Sequence, residues 1–160
     1  MSYKILALNP GSTSTKIAVY EDTKELFKVN IDHPNAEIEK YKNVSEQYSM
    51  RYESIMNVLK DKNFVIKELS AVVGRGGLLP PLKSGAYRVN EAMVDRLANR
   101  PVVEHASNLG GIIAFHMAET LGIPAYIYDS VAVDELDDIA RISGMADIKR
   151  KSFSDRKSVV

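Results

Sequence analysis

The sequence predicts an α/β domain: an antiparallel meander of three strands, then helices alternating with strands. Three observations predict it. The first 31 residues hold three short apolar or alternating runs separated by Asn9-Pro10-Gly11 and by the polar turn Glu21-Asp22-Thr23-Lys24. Two later segments carry apolar residues at helical spacing. Each of these is followed by a brief, largely apolar run of strand length.

Residues 3–8 read as a buried strand stopped by the turn at Asn9-Pro10-Gly11. Residues 15–20 and 26–31 alternate, and His33-Pro34-Asn35 ends the meander. Residues 45–62 read as a helix capped by Ser45, with Glu46 in its first turn and Tyr48, Tyr52, Ile55 and Leu59 on one face. Residues 69–73 form an apolar strand leading into Gly74-Arg75-Gly76-Gly77, and Pro80-Pro81 opens a loop. Residues 86–89 suit a short strand. Asn90 can cap a helix reaching Ala98 that Pro101 closes off. The strongest helical pattern spans 107–121, where Leu109, Ile112, Ile113, Met117 and Leu121 make a stripe. Gly122 then stands at a left-handed C-terminal position, with Pro124 beyond it. Residues 125–128 are a buried strand ending at Asp129, and 133–139 suit a short helix. The polar, basic stretch from Lys149 through Ser158 has no periodicity and reads as a solvated tail.

Composition narrows the function. The 160 residues are 45% hydrophobic, enough to bury a core of one domain. Lys+Arg and Asp+Glu are both 21, and this balance argues against nucleic acid or an anionic membrane as a partner. Cysteine is absent, which excludes thiol catalysis and cysteine-ligated metals and fits a cytoplasmic setting. No run approaches the ~20 apolar residues of a membrane span, and the start is too short in apolar residues for a secretory signal.

Three turns could do chemistry. Asn9-Pro10-Gly11-Ser12-Thr13-Ser14-Thr15-Lys16 offers backbone N–H groups, hydroxyls and one ammonium, the equipment of an anion-binding turn. An ordinary hairpin with surface hydroxyls fits the same residues. It is not a P-loop, because the Gly-x4-Gly-Lys-Ser/Thr spacing is absent. Arg75 between glycines at a strand end suits a bidentate pair with a carboxylate or phosphoryl group, or a flexible turn with a solvated Arg. Leu79 stands where a dinucleotide fingerprint would need its last Gly. Asp129 could orient a metal-bound water or simply cap the next turn. His105 reads as a local hydrogen-bonding residue or a catalyst, and His33 and His116 as structural. Lys16, Arg75 and Asp129 all fall at or near strand ends, which predicts one phosphate-binding cleft along a rim of the sheet.

In this order the loops resemble those of the acetate and butyrate kinase family. Residues 9–16 look like its Asn-x-Gly-Ser-x-Ser-x-Lys signature, and Val73-Gly74-Arg75-Gly76-Gly77 like its substrate-arginine segment. His105-Ala106-Ser107-Asn108-Leu109-Gly110 is similar to its His-plus-Asn-Leu segment, and Ile127-Tyr128-Asp129 to its catalytic-aspartate strand. Gly-Arg-Gly-Gly-Leu-Leu at 74–79 and Ala140-Arg141-Ile142-Ser143-Gly144-Met145 lean to the butyrate kinase branch. The resemblance covers about residues 3–152. It implies a ribonuclease-H-like, actin-like ATPase domain with a mixed sheet of three antiparallel strands followed by parallel ones.

The resemblance also implies the chemistry: ATP and a short fatty acid give ADP and an acyl phosphate. Carboxyl groups with pKa values of about 4 are ionised at neutral pH, so the nucleophile needs little general-base help. Positive charge and in-line positioning dominate instead. By the same resemblance Arg75 and Asp129 are catalytic. Asn9, Gly11, Ser12, Ser14 and Lys16 hold the ATP phosphates, and Asn9 and Asp129 attend Mg²⁺. Arg75, Gly76, Gly77 and His105 bind the substrate. The small Gly76-Gly77 lining suggests butyrate over acetate. The family pairs two such domains around the nucleotide. Residues 1–148 are therefore expected to be the N-terminal domain and 149–160 a basic tail, with the C-terminal nucleotide-binding domain outside this chain. A homo-oligomer is implied. A non-catalytic domain that folds or self-associates, or another kinase of this fold, is the alternative.

Overall fold

The computed structural model describes residues 2–152. Its first strand, β1 (Lys4–Pro10), does not stop before Asn9 as the sequence suggests; it runs through Pro10. Strand β2 (Ser14–Glu21) returns antiparallel, pairing Asn9 with Lys16 and Pro10 with Thr15. Strand β3 (Lys24–Asp32) completes the meander after the tight turn at Asp22 and Thr23. The expected three-stranded start is therefore present, with each strand longer than its apolar run.

A single turn of helix, α1 (Asn35–Ile38), follows. The predicted helix at 45–62 divides into a 3-10 turn (Ser45–Gln47) and α2 (Tyr48–Asp61). Ser45 does not cap it: its hydroxyl donates to the Ala98 carbonyl at 3.1 Å. Strand β4 lies at Ala71–Arg75, two residues later than its apolar run. The short strand β5 (Tyr87–Arg88) precedes α3 (Glu91–Ala98), whose Asn90 cap accepts from the Met93 N–H at 2.9 Å as predicted. Helix α4 (Asn108–Leu121) ends at Gly122 in the left-handed conformation, φ 68°, and β6 is Ala125–Tyr128.

The predicted helix at 133–139 is absent. Leu82 and Val133 form an isolated parallel bridge, and only Asp138–Arg141 makes a 3-10 turn. A backbone committed to pairing cannot also close helical turns. The basic segment begins in structure as well: Lys149 bridges Ile142, and the Ser152 N–H reaches Asp134 Oδ1 at 3.2 Å. Residues 153–160 of the expected tail lie outside the described residues.

The strands form one six-stranded mixed sheet in the order β3-β2-β1-β4-β6-β5. Strands β1, β4 and β6 are parallel to one another, and the remaining pairs are antiparallel. This is the arrangement the resemblance implied. Leu6, Leu8, Ile17, Val19, Val72 and Ile127 fill one face beneath Ile55, Leu59, Leu109, Ile113 and Met117 from the helices. Burying each such side chain is worth roughly 1.5–3 kcal/mol.

The centre of the sheet is set by close backbone approach. A Cβ on Gly74 would lie 2.2 Å from the Gly110 carbonyl oxygen, and one on Gly110 would lie 2.5 Å from the Arg75 carbonyl oxygen. Two glycines thus let α4 rest directly on β4, which fixes where Arg75 leaves the sheet.

Candidate functional site

The candidate residues lie on the open face of the sheet. Because side chains alternate, packing Leu8, Ile17 and Gly74 against the helices turns Asn9, Lys16 and Arg75 to the opposite face. The C-terminal ends of the parallel strands β1, β4 and β6 share one edge, and the antiparallel β2 begins there. In α/β sheets this is the edge where ligands bind.

Two adjoining clefts lie along it. The larger, about 380 Å³, is lined by Asn9, Lys16, Lys28, Arg75 and Asp129 over an apolar floor that includes Ala7, Ala18 and Val73. The smaller, about 210 Å³, is lined by Gly11, Ser14, His105 and Ser107, again with Asn9, Lys16 and Arg75. These last three residues therefore stand between both clefts. Three cations face one carboxylate in the larger cleft, so the local field favours an anion.

Arg75 and Asp129 approach to 4.0 Å between Nη2 and Oδ2, with 40% and 34% of their side chains exposed. So open and long a pair contributes little to stability. The Arg75 Nε is buried and has no hydrogen-bond partner among the described residues, which leaves a donor for an anionic ligand. Asp129 has φ 50°, an uncommon conformation for a residue with a side chain. It turns the chain sharply at the end of β6.

The turn at residues 11–14 is held from behind. The Gly11 N–H donates to the Ser14 carbonyl at 2.7 Å, and the His33 N–H to the Thr13 carbonyl at 2.8 Å. Arg51, buried on α2, donates to the Ser12 and Ser14 carbonyls and to Thr15 Oγ1. Thr15 Oγ1 accepts from Arg51 and also shares a hydrogen bond with His33 Nε2, 2.9 Å away.

Burial pushes His33 below the ordinary histidine value, and the positive charge of Arg51 adds to the effect. The unfolded chain therefore binds a proton that the folded chain refuses. Stability tied to His33 is present above the ordinary value of about 6.5 and lost as pH falls below it. Urea unfolding is expected to show a midpoint that drops between pH 7 and 5, with a shallower drop in His33→Gln. Parallel curves for the two proteins would contradict this.

The sequence-predicted residues separate clearly. Asn9, Lys16 and Arg75 meet at both clefts, Asp129 joins them at the larger, and Gly11, Ser14 and His105 at the smaller. His105 Nδ1 accepts from the Ser107 N–H at 3.2 Å and lies 2.8 Å from the Ser107 hydroxyl. Ser12 is exposed outside the cleft linings, its carbonyl tied to Arg51. Gly76 and Gly77 line neither cleft: a Cβ at 76 would stand 2.8 Å from Ser130 Cβ, and one at 77 would stand 2.5 Å from Asn108 Oδ1. Their smallness serves packing, which removes the structural support for reading acyl-chain preference from them. Arg51 and Lys28 escaped the sequence reading. Arg51 had left a signal, because it sits four and eight residues before Ile55 and Leu59 on the buried stripe.

No protein-family model matches the chain. Butyrate kinase 2 of Clostridium acetobutylicum is 55% identical over 153 residues, which is 96% of this chain and 43% of that protein. A probable butyrate kinase of Clostridium botulinum is 53% identical over 152 residues, 95% of this chain and 43% of that protein. The chain thus spans less than half the length of the curated relatives it matches. Among solved structures, Porphyromonas gingivalis acetate kinase superposes with TM-score 0.52 at 18% identity, covering 90% of this chain and 41% of that one. Acetate kinase from Entamoeba histolytica gives TM-score 0.50 at 15% identity, covering 90% and 39%. These likenesses bear on the fold, which is the actin-like ATPase type. By sequence, the chain is homologous to the N-terminal part of the butyrate kinases.

Proposed function

We propose that this domain carries one side of the active site of an ATP-dependent butyrate kinase, which converts a short-chain carboxylate and ATP to an acyl phosphate and ADP. The observation that carries the reading is the meeting of Asn9, Lys16 and Arg75 at two adjoining clefts, with Asp129 beside Arg75. The substrate carboxylate is the nucleophile: its oxygen bonds to the terminal phosphorus of ATP, and the bond to the ADP oxygen breaks. Bringing an anion to a polyanion is the difficulty, so fixed positive charge dominates.

In this reading Arg75 holds the substrate carboxylate or the developing phosphoryl charge, and its unpartnered Nε favours such a ligand. Lys16 and the turn through Gly11, Ser12 and Ser14 hold the ATP phosphates. His105 lines the substrate side. Asn9 and Asp129 supply oxygen donors suited to Mg²⁺. Among the described residues no group of three His, Cys, Asp or Glu could hold a metal, so phosphate oxygens and water would complete its shell. Mg²⁺ when bound neutralises phosphate charge. Residues 1–148 are the domain in this reading, 149–160 its basic continuation, and a second, nucleotide-binding domain completes the site. The setting is cytoplasmic. No helix among the described residues is long and apolar enough to cross a membrane.

Hydroxylamine trapping of the acyl phosphate tests the reaction. In the two-domain protein, with ATP and Mg²⁺, butyrate is expected to exceed acetate in kcat/KM. One methylene is worth roughly 1–3 kcal/mol of such discrimination. Equal or reversed values would reject that preference. Self-association also belongs to this reading: Ile139, Ile142, Met145 and Ile148 are exposed together near the end of the described chain. Sedimentation should show a dimer or larger species, and a monodisperse monomer would contradict it.

A further inference from the structure

Behind the turn at residues 11–14 lies a charge that the proposed chemistry does not use. Arg51 has no exposed surface. Its guanidinium makes five hydrogen bonds, all to neutral oxygens. Nη1 donates to the Ser14 carbonyl and to Thr15 Oγ1, both at 3.0 Å. Nη2 donates to the Ser12 carbonyl at 3.0 Å and to Gln47 Oε1 at 2.9 Å, and Nε to Gln47 Oε1 at 3.2 Å. No carboxylate pairs with it among the described residues.

A buried cation without a counter-charge is costly, and neutral acceptors offset only part of that cost. Its field is directed to the turn that it holds. A peptide's C=O and N–H point in opposite directions. Drawing the Ser12 carbonyl back to Arg51 therefore turns the Thr13 N–H away from the helix. Outward N–H groups with a cation behind them make a concavity for an anion.

We propose that Arg51 is a positioning residue for the phosphate-binding turn: it fixes the peptide units of residues 12–14 and supplies the buried charge that a bound phosphate balances. This rests on the reading of that turn as the site of the ATP phosphates. Arg51 acts through the turn and does not touch the ligand.

The test is calorimetric titration of inorganic tripolyphosphate into the purified protein, together with amide hydrogen exchange in the turn. Arg51→Met removes the guanidinium fork, Arg51→Lys keeps the charge, and Gln47→Leu frees the fork without touching the turn. In Arg51→Met the affinity is expected to fall about tenfold or more. Arg51→Lys is expected to recover part of it. The Gly11 amide, held on Ser14, should exchange faster in Arg51→Met. A merely structural Arg51 would lower Tm while leaving both the affinity of the folded protein and Gly11 exchange at wild-type values, and that result overturns the proposal. If Arg51→Met does not fold, Gln47→Leu decides: weaker binding supports the proposal, and unchanged binding overturns it. Lys16→Ala separates the two readings. Loss of affinity there, with wild-type affinity in Arg51→Met and Gln47→Leu, overturns the role of Arg51 and leaves the proposed function intact. A wild-type protein that binds no tripolyphosphate overturns both.

Discussion

Arg75→Ala, made in the two-domain protein that completes this site, is expected to lower kcat/KM for acyl-phosphate formation from butyrate and ATP by about 10²–10³-fold, as loss of one preorganised donor to developing charge does. The argument is geometric. Arg75 is the last residue of β4, between the two clefts, and its buried Nε has no partner among the described residues. Its contact with Asp129, at 4.0 Å and more than a third open to solvent, contributes little to folding. The variant should therefore keep a Tm close to wild type while losing turnover. Arg75→Lys should recover only part, because an ammonium cannot form the planar, two-pronged pair of a guanidinium. Hydroxylamine trapping with both variants checks this. Turnover above a tenth of wild type in Arg75→Ala would contradict the assignment.

The largest stability effect is expected at Gly74. A methyl group there would sit 2.2 Å from the Gly110 carbonyl oxygen and 2.3 Å from its carbon. Both are backbone atoms of α4, so no side chain can move aside. The helix must lift from β4, opening the core around Leu109, Ile113 and Ile127. Gly74→Ala should cost about 3 kcal/mol, the upper range for overpacking. For a domain of this size that is roughly 6–12 °C in Tm. A scanning-calorimetry Tm within about 2 °C of wild type would show that the approach is looser than described.

The elements most legible in the sequence were those bracketed by backbone constraints. Strand β6 falls at Ala125–Tyr128 as read, because Gly122 and Pro124 precede it and Asp129 turns the chain after it. Helix α3 starts where Asn90 can cap it. Elements without such punctuation drifted. The apolar run at 69–73 begins two residues before β4, because Leu69 and Ser70 belong to the approach to the sheet, where the Ser70 N–H meets the Lys4 carbonyl at 2.7 Å. The segment 133–139 has helical spacing, yet long-range pairing of Val133 with Leu82 takes its backbone.

The site was legible to the same degree. Strand-end position alone places Lys16, Arg75 and Asp129 on one rim of the sheet, and they line one cleft there. Gly76 and Gly77 misled because a glycine beside an arginine suggests ligand approach, while the space it saves belongs to Ser130 and Asn108. Asn108 has its own part there, accepting from the Leu78 N–H at 2.8 Å and donating to the Val103 carbonyl at 2.9 Å. Arg51 shares the spacing of Ile55 and Leu59, but a lone charge in a helix is ordinarily solvated, so that spacing outweighs the charge only once the tertiary fold shows it turned inward.

The central claim is that Arg75 and the turn at residues 11–16 face one anionic ligand site. Proton–nitrogen correlation NMR of arginine side chains, with the Arg75 Nε signal assigned through Arg75→Lys, tests it most directly. Adding butyrate and then Mg-ATP should shift that signal and the amides of residues 11–16 together, saturating at common ligand concentrations. An Arg75 Nε signal that stays at its free position while either ligand saturates the protein elsewhere, or throughout the titration, would contradict the account.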